Sequence, residues 1–251
     1  MIIRKSPEEI DRMRKAGRIV AETIEKTVAA VRPGITTGEL DAVSEATIVK
    51  GGGAPSFKGY RGFPASLCVS VNEQVVHGIP GKRVLQAGDL LSLDFGAIWE
   101  GYHADAAVSL FVGGEAPSSE AEKLVRVTEE ALEAGIGQIR IGGRLTDISH
   151  AVQQVIEGAG FDLVREYTGH GVGRKLHEDP PVFNYGAPGR GPELRPGLVI
   201  AVEPMAMLGA WPTRVLADGW TVVTDDGSLA AHFEHTIAVT ENGAEVLTAP
   251  A

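Results

Sequence analysis

The sequence predicts an α/β protein in which two similar halves each place two helices ahead of a group of strands. Three observations support this prediction. Segments with helical spacing of apolar residues precede short strand-like apolar segments, the same order of elements occurs twice along the 251 residues, and no linker or low-complexity tract separates the two copies. We therefore expect a single catalytic domain, residues 1–251, with halves at about 1–112 and 113–251.

Composition and charge narrow the class of protein. Hydrophobic residues make up 43% of the chain and charged residues 22%, which is typical of a globular protein with a sizeable core. A formal net charge of −10 repels phosphate backbones, so we expect no nucleic-acid ligand. Cys68 is the single cysteine, so no disulfide can form within the chain, as is typical of proteins in reducing compartments. Without a signal peptide or an apolar run of ~20 residues, we expect a cytoplasmic protein that is free of membrane.

The first half begins with two helices. Ser6-Pro7-Glu8-Glu9 supplies a capping hydroxyl, a proline at the first helical position and acids in the first turn. Apolar residues at helical spacing continue to Arg32-Pro33-Gly34, where that helix ends. Residues 36–39 cap a second helix that runs to the glycines at 51–53. Strand-like segments follow at 67–71, 90–95 and 106–112.

The second half repeats this order. Ser118 caps a helix that runs to about Ile139, and a further helix covers residues 146–158. Strand-like segments follow at 198–203 and 236–239. A shift of 109 residues places Asp94 on Glu203. Short matches also arise by chance, but acidic residues coincide at strand-like positions, so we interpret the repeat as an internal duplication with a shared site between the halves.

Four carboxylates and one histidine lie in or beside apolar segments. They are Asp94, Asp105, His170, Glu203 and Glu234. Each acid alone is more simply a helix cap, a turn residue or a surface charge, but a carboxylate beside a buried strand is costly unless it is paired or bound to a metal. Together they form a natural ligand set for two divalent ions ~3.5–4 Å apart, as in two-metal hydrolases. Oxygen-rich sites with one imidazole suit Mn, Fe, Co or Zn.

Two further histidines occupy similar sequence positions. His77 in HGIP and His177 in HEDP are each followed by proline three residues later. Singly, each is more simply a hydrogen-bonded loop residue. As a pair beside a metal site, they would orient a peptide amide and stabilise its developing oxyanion. We assign no role to the other histidines, which are His103, His150, His232 and His235.

The ordered motifs resemble the methionine aminopeptidase family. The motifs are HGIP, SLDFG around Asp94, GHGVGRKLHEDP, VEP at Glu203 and FEHTIAVT around Glu234. The resemblance covers nearly the whole chain and implies the pita-bread fold, in which a curved antiparallel sheet covered by helices forms two pseudo-symmetric halves. Glu203 and Glu234 are 31 residues apart, which leaves no room for the helical insertion of type 2 enzymes. The chain also begins at the first catalytic helix, so we expect the short bacterial type 1 form.

The resemblance also implies a role for each site residue. The implied metal ligands are Asp94, Asp105, His170, Glu203 and Glu234. Asp105 and Glu234 would bridge two divalent ions, which would be Co, Mn, Fe, Ni or Zn. His77 and His177 would contact the substrate, and Glu203 would also carry a proton from water to the leaving amine.

The implied methionine side-chain pocket is less strongly marked in the sequence. It comprises Tyr60, Phe63, Cys68 and Trp220. For Tyr60 and Trp220, plain core packing is the alternative interpretation. Phe63 and Leu176 replace a tyrosine and a phenylalanine that are common in bacterial relatives, which leaves the detailed shape of the pocket open.

The implied activity is removal of the N-terminal initiator methionine from nascent proteins whose second residue is small. We expect a monomer that acts on N-terminal methionyl peptides and nascent chains, and a transient ribosome contact is left open. Two alternatives remain. One is a prolidase-like or proline-specific aminopeptidase of the same fold, and the other is a non-catalytic pita-bread binding module, which would lack the metal ligands.

Overall fold

The computed structural model describes residues 1–250. The helices are α1 (Pro7–Ala30), α2 (Thr37–Lys50), α3 (Ser119–Ile136) and α4 (Leu145–Gly158), with a 3-10 turn at Tyr60–Gly62. The strands are β1 (Ala54–Pro55), β2 (Leu67–Val71), β3 (Gln74–Val76), β4 (Leu90–Trp99), β5 (Tyr102–Phe111), β6 (Asp162–Leu163), β7 (Gly169–Gly171), β8 (Glu178–Val182), β9 (Val199–Val202), β10 (Met205–Met207), β11 (Thr213–Val215), β12 (Val222–Thr224), β13 (Ala230–His232), β14 (Glu234–Thr240) and β15 (Gly243–Val246). Within residues 1–250, no helix is long and apolar enough to cross a membrane.

The first two helices begin with the capping chemistry that the sequence predicts. The Ser6 hydroxyl accepts a hydrogen bond from the Glu9 amide, and the Glu9 carboxylate accepts one from the Ser6 amide. Thr36 and Glu39 form the same reciprocal pair. Each pair satisfies backbone donors that have no partner inside the helix. This pairing fixes the start of α1 at Pro7 and of α2 at Thr37.

A nine-stranded antiparallel sheet forms the centre of the molecule. Its order is β1-β4-β5-β14-β9-β7-β8, with β2 paired to β4 and β15 paired to β14. Two smaller sheets have the orders β13-β10-β6 and β11-β12-β3. Because β5 pairs with β14, strands from the early and late parts of the chain meet in the middle of the large sheet.

The hairpin of β4 and β5 is longer than the sequence predicts. The predicted strands were 90–95 and 106–112, whereas the pairing runs through to Trp99 and Tyr102. Glu100 and Gly101 connect the strands with φ values of 48° and 79°, and positive φ at both central residues is typical of a type I′ turn. The prediction was too short because residues 96–104 mix glycine, charged and aromatic side chains and form no apolar run.

The helices cover one face of the large sheet. Around α1 and α2, the core includes Ile19, Leu40, Leu93 and Phe95, and around α3 and α4 a second group includes Leu124, Ile148 and Ile200. Side chains alternate between the two faces of a strand. Leu93 and Phe95 point to the helices, so Asp94 between them points to the opposite face.

Candidate metal centre and substrate cavity

Strand register aligns acidic residues on the face that is turned away from the helices. Asp94 on β4 pairs with Ala107 on β5, and Ala107 pairs with Glu234 on β14. Directly paired residues point to the same side of a sheet, so the two acids lie on either side of the small Ala107 side chain. Asp105 precedes Ala107 by two residues and shares its face. Three of the predicted ligands are thus brought together by backbone pairing.

The remaining two predicted ligands come from the neighbouring strands. Glu203 follows β9, which pairs with β14, and His170 is the central residue of β7. A Cβ atom added to Gly169 or Gly171 would lie 2.4 Å from the Ala201 oxygen or 2.1 Å from the Asp179 oxygen, respectively. The glycines on either side of His170 therefore permit a close approach of three backbone segments.

The ligand atoms lie close enough for metal binding. His170 Nε2 is 3.5 Å from Asp105 Oδ2 and 3.6 Å from Glu203 Oε1. Asp105, His170 and Glu234 each offer an atom within 4.8 Å of the others. Metal–ligand bonds to nitrogen and oxygen are ~2.0–2.2 Å long, so atoms at these separations fit around a single divalent ion.

The electrostatics of the acids also favour a bound cation. Burial raises the pKa of Asp94, Glu203 and Glu234 well above the ordinary range, and the charge of Asp105 raises each of them further. Burial likewise raises the pKa of Asp105. Asp94 Oδ1 is buried without a hydrogen-bond partner, which is costly for a polar atom. A divalent cation would relieve both the repulsion and the missing contact.

Hydrogen bonds orient two of the candidate ligands. The Thr236 hydroxyl donates to Asp105 Oδ1 at 2.7 Å and accepts a bond from the Asp105 amide at 3.0 Å. His170 Nδ1 lies 3.0 Å from the Gly171 carbonyl oxygen. Because a carbonyl only accepts, His170 Nδ1 carries the proton and Nε2 presents a lone pair to a metal.

A cavity of about 290 Å³ lies above these groups, and every site residue predicted from the sequence lines it. At its apolar end the Phe63 and Trp220 rings meet edge to face, 5.1 Å apart. Phe63, Cys68 and Leu176 are buried in one cluster beside Trp220. Burial and the nearby Asp94 charge raise the pKa of the Cys68 thiol, so the thiol stays neutral and acts as a small apolar group.

The two substrate-contacting candidates stand on the cavity wall. The His177 ring lies 4.1 Å from the His170 ring, and its Nδ1 is 2.8 Å from the Tyr60 hydroxyl. His77 has a left-handed backbone, φ 60°, and meets the Tyr167 ring edge to face at 5.7 Å. Burial lowers the pKa of both histidines to about 4. Both are therefore neutral near pH 7.

A buried ion pair supports the loop that contains His177. Lys5 Nζ donates to Glu178 Oε2 at 2.9 Å, and the two side chains are only 3% and 7% exposed. The other Glu178 oxygen accepts a bond from the Lys175 amide. A Cβ atom added to Gly173 would lie 2.6 Å from both Lys5 Cε and Glu178 Oε1. The N-terminal segment is thus packed directly against this loop.

Sequence reasoning missed several polar groups around the ligands. His232, to which we assigned no role, is buried, and its Nε2 lacks a hydrogen-bond partner and lies 4.0 Å from Glu203 Oε2. Asn184 Nδ2 donates to the Glu203 carbonyl oxygen at 2.9 Å. For His232 and Thr236, the available signal was their position two residues before and after Glu234, which is the period of a strand.

A buried group of four carboxylates and a histidine on the floor of a cavity, with neutral histidines on its wall, is the site of a metal-dependent hydrolase. Residues 11–241 match metallopeptidase family M24. The chain is 54% identical to a methionine aminopeptidase of Clostridium perfringens and 54% identical to one of Bacillus subtilis, over 99% of each chain in both cases. This chain belongs to metallopeptidase family M24.

Solved structures show the same fold. A methionine aminopeptidase of Thermotoga maritima matches with a TM-score of 0.96 and 49% identity over 99% of both chains. A prolidase of Pyrococcus horikoshii matches with a TM-score of 0.81 but 23% identity, and the match covers 65% of that longer chain. At that identity the prolidase shows the fold alone. The predicted pita-bread fold is confirmed.

Proposed function

We propose that this protein is a type 1 methionyl aminopeptidase that removes an N-terminal methionine when the second residue is small. The main supporting observation is the set of acids and one histidine in a cavity whose apolar end is lined by Phe63, Cys68 and Trp220. Family membership supports the same reaction, since the relatives named methionine aminopeptidase match over 99% of the chain. The prolidase-like alternative is not favoured, because its structural support is limited to the fold.

The proposed metal site holds two divalent ions. Asp94, Asp105, His170, Glu203 and Glu234 would hold these ions, and Asp105 and Glu234 would contribute to both. Bound divalent ions supply Lewis acidity for the hydrolysis of a peptide bond. Their ligand set suits Co, Mn, Fe, Ni or Zn. The complete set also distinguishes this chain from a non-catalytic module, which would have lost these side chains.

The protein side chains then bind and position the peptide. Phe63, Cys68 and Trp220, with Tyr60 beside them, form a pocket that accepts an unbranched thioether. Glu203 carries a proton from water to the leaving amine, because its carboxylate lines the cavity beside the other acids, where the peptide bond is cleaved. His177 donates a hydrogen bond to the developing oxyanion, and His77 holds the peptide amide.

A peptide series with metal analysis tests this proposal. The protein, purified and then loaded with each metal in turn, should hydrolyse Met-Gly-Met and Met-Ala-Met. It should hardly hydrolyse the Met-Lys-Met and Met-Leu-Met peptides. Equal kcat/KM for small and large second residues would contradict the specificity. Cleavage that requires proline as the second residue, whatever the first, would instead support the prolidase-like activity.

The proposal also covers the cellular location, the oligomeric state and the partners of the enzyme. We propose that the enzyme acts in the cytoplasm as a monomer, on N-terminal methionyl peptides and on nascent chains. A transient ribosome contact would bring it to those chains, with no specificity for nucleic acid. Light scattering tests the monomer, and co-sedimentation with translating ribosomes tests the contact.

A further inference from the structure

We propose that the Tyr60 hydroxyl is a positioning group that sets the tautomer and orientation of His177. This inference rests on the proposed function and assigns a role to an atom that pocket packing leaves unexplained. Tyr60 Oη lies 2.8 Å from His177 Nδ1. The two rings also stack, with centroids 5.3 Å apart and planes 29° from parallel. Two independent contacts therefore hold His177 in a single orientation.

The direction of the hydrogen bond follows from the protons available. Tyr60 Oη lies at hydrogen-bond distance from one ring nitrogen of His177, Nδ1, and within residues 1–250 no protein group hydrogen-bonds to the other nitrogen, Nε2. A neutral imidazole has one N–H and one acceptor nitrogen. A phenol donates more strongly to an imidazole nitrogen than it accepts from one, so Tyr60 donates to Nδ1. The ring proton then lies on Nε2, because the partner of one nitrogen fixes the state of the other.

This tautomer is the one that oxyanion stabilisation needs. With Nδ1 occupied, the Nε2–H of His177 is free to donate to a substrate oxygen. The opposite tautomer would direct an acceptor at the developing negative charge and would oppose the reaction. An oriented donor requires no reorganisation during the reaction, which is the basis of such catalysis.

The backbone at Tyr60 is built to hold the hydroxyl in place. The Tyr60 amide donates to the Phe57 carbonyl and the Phe63 amide donates to the Tyr60 carbonyl, each at 2.9 Å. Gly59 and Gly62 have φ values of 85° and 92°, which lets the chain turn tightly on both sides. The Arg61 guanidinium carbon lies 5.4 Å from the centre of the Tyr60 ring.

His77, the other histidine on the cavity wall, lacks a hydrogen-bond partner of this kind in the described part of the chain. Within residues 1–250, the aromatic contacts of the His77 ring are edge to face, at 5.7 Å to Tyr167 and 6.1 Å to Trp220, and no side chain there hydrogen-bonds to it. Such contacts place a ring but do not select which nitrogen holds the proton. Only His177 of this pair has a partner that fixes its tautomer.

A double-mutant cycle with Tyr60→Phe and His177→Ala tests the proposal in metal-loaded enzyme. Tyr60→Phe keeps the ring, the stacking and the pocket wall, and removes only the hydroxyl. We expect kcat for Met-Gly-Met to fall about 10-fold, the effect of one hydrogen bond, with KM and metal content unchanged. In the His177→Ala background, Tyr60→Phe should have no further effect. Tyr185→Phe, which removes a hydroxyl outside the cavity, is the matched control.

A spectroscopic measurement completes the test. In zinc-loaded enzyme, the ¹⁵N shifts of His177 should show the Nε2–H tautomer, and Tyr60→Phe should mix the two tautomers. An unchanged kcat in Tyr60→Phe would overturn the proposal. Tyr60→Phe could also lower kcat equally with and without His177, or change KM alone. Either result would overturn the proposal as well, because it would show that Tyr60 acts only as part of the pocket wall. Failure of the wild type to cleave methionyl peptides would instead reject the proposed function.

Discussion

The two parts of the chain bring their proposed metal ligands to the site in different ways. In the N-terminal part, Asp94 and Asp105 lie on one continuous hairpin of two ten-residue strands. In the C-terminal part, His170, Glu203 and Glu234 lie on or beside three strands that are distant in sequence, and the pairing of β7 with β8 shifts register between its glycines. One turn fixes the register of a hairpin. The other three ligands depend on packing between separate segments.

The proposed ligands Asp94 and Asp105 also differ in the hydrogen bonds that hold them. Asp105 shares hydrogen bonds with Thr236 of the C-terminal part, whereas Asp94 Oδ1 has no hydrogen-bond partner. The hairpin therefore fixes the positions of Asp94 and Asp105 relative to each other, and Thr236 on β14 fixes the orientation of the Asp105 side chain. The acids of either part alone would lie close together, but their side chains would have no defined orientation. The internal duplication stays a prediction, but the functional dependence of the two parts on each other can be tested.

The largest effect is expected when one of the two acids proposed to bridge the ions, one from each part, is neutralised. Asp105→Asn and Glu234→Gln should each lose at least one metal and lower kcat/KM by more than about 100-fold, since even changes around metal ligands cost ~10–100-fold. Chelation should abolish wild-type activity, and added divalent metal should restore it. Mass spectrometry and kinetics provide the measurements, with exposed Glu241→Gln as control. Full activity without metal would rule out the metal site. Loss of metal and activity in only one of the two variants would show that the acids of one part are enough to form the site.

The next effect separates the proposed metal ligand His170 from the two histidines on the cavity wall, His77 and His177. His170→Ala should lower metal content and activity together, because Nε2 faces the acids. His177→Ala should keep both metals and lower kcat by ~10²–10³-fold, as for loss of an oxyanion donor. His77→Ala should also retain metal, with the loss shared between kcat and KM. The assignment of roles is reversed if His177→Ala loses its metals while His170→Ala keeps them.

A smaller effect tests the contact between the parts. Thr236→Val keeps the shape of the side chain but removes the hydroxyl that bonds Asp105. We expect metal affinity to fall ~10–100-fold, with kcat restored at saturating metal. Metal titration followed by activity measures the effect. Thr240→Val, on the same strand but away from the acids, is the control, and an equal change in both variants would argue against a specific role for Thr236.

Sequence reasoning singled out the chemically unusual residues, which the structure brings together around one cavity, and it missed groups whose role depends on tertiary packing. The acids and His170 were predictable because carboxylates in apolar strands require an explanation and because their motifs resemble a known family. Strand β2 was predicted with its observed bounds, since 67–71 is an apolar run between turn residues. The orienting groups Thr236 and Asn184 were not predicted, because threonine and asparagine are ordinary residues and only their partners in space give them a role.

The smallest expected effects concern stability and compare glycines from the two parts. In Gly171→Ala the new Cβ would lie 2.1 Å from the Asp179 backbone oxygen, whereas in Gly96→Ala it would lie 2.6 Å from the Phe57 ring and 2.7 Å from Ser56 Cβ. The Phe57 ring can rotate away and Ser56 Cβ needs a smaller shift than a paired backbone oxygen at 2.1 Å. We expect Gly96→Ala to cost ~1–3 kcal/mol, as overpacking does, and Gly171→Ala to cost more. Denaturant unfolding measures both. Gly81→Ala, where nothing lies within 4 Å, is the control, and equal costs would contradict this reasoning.

The buried pair between Lys5 and Glu178 has a consequence for the order of folding. The contact joins residues that are 173 positions apart, and contacts of such long sequence separation form late because the intervening chain must first be organised. During synthesis, the segment around Lys5 emerges first and has no partner until Glu178 is made. The loop that contains His177 therefore acquires its final shape only after most of the chain has been translated. A ribosome-bound chain that ends before Glu178 would lack this contact, however well its N-terminal hairpin had folded.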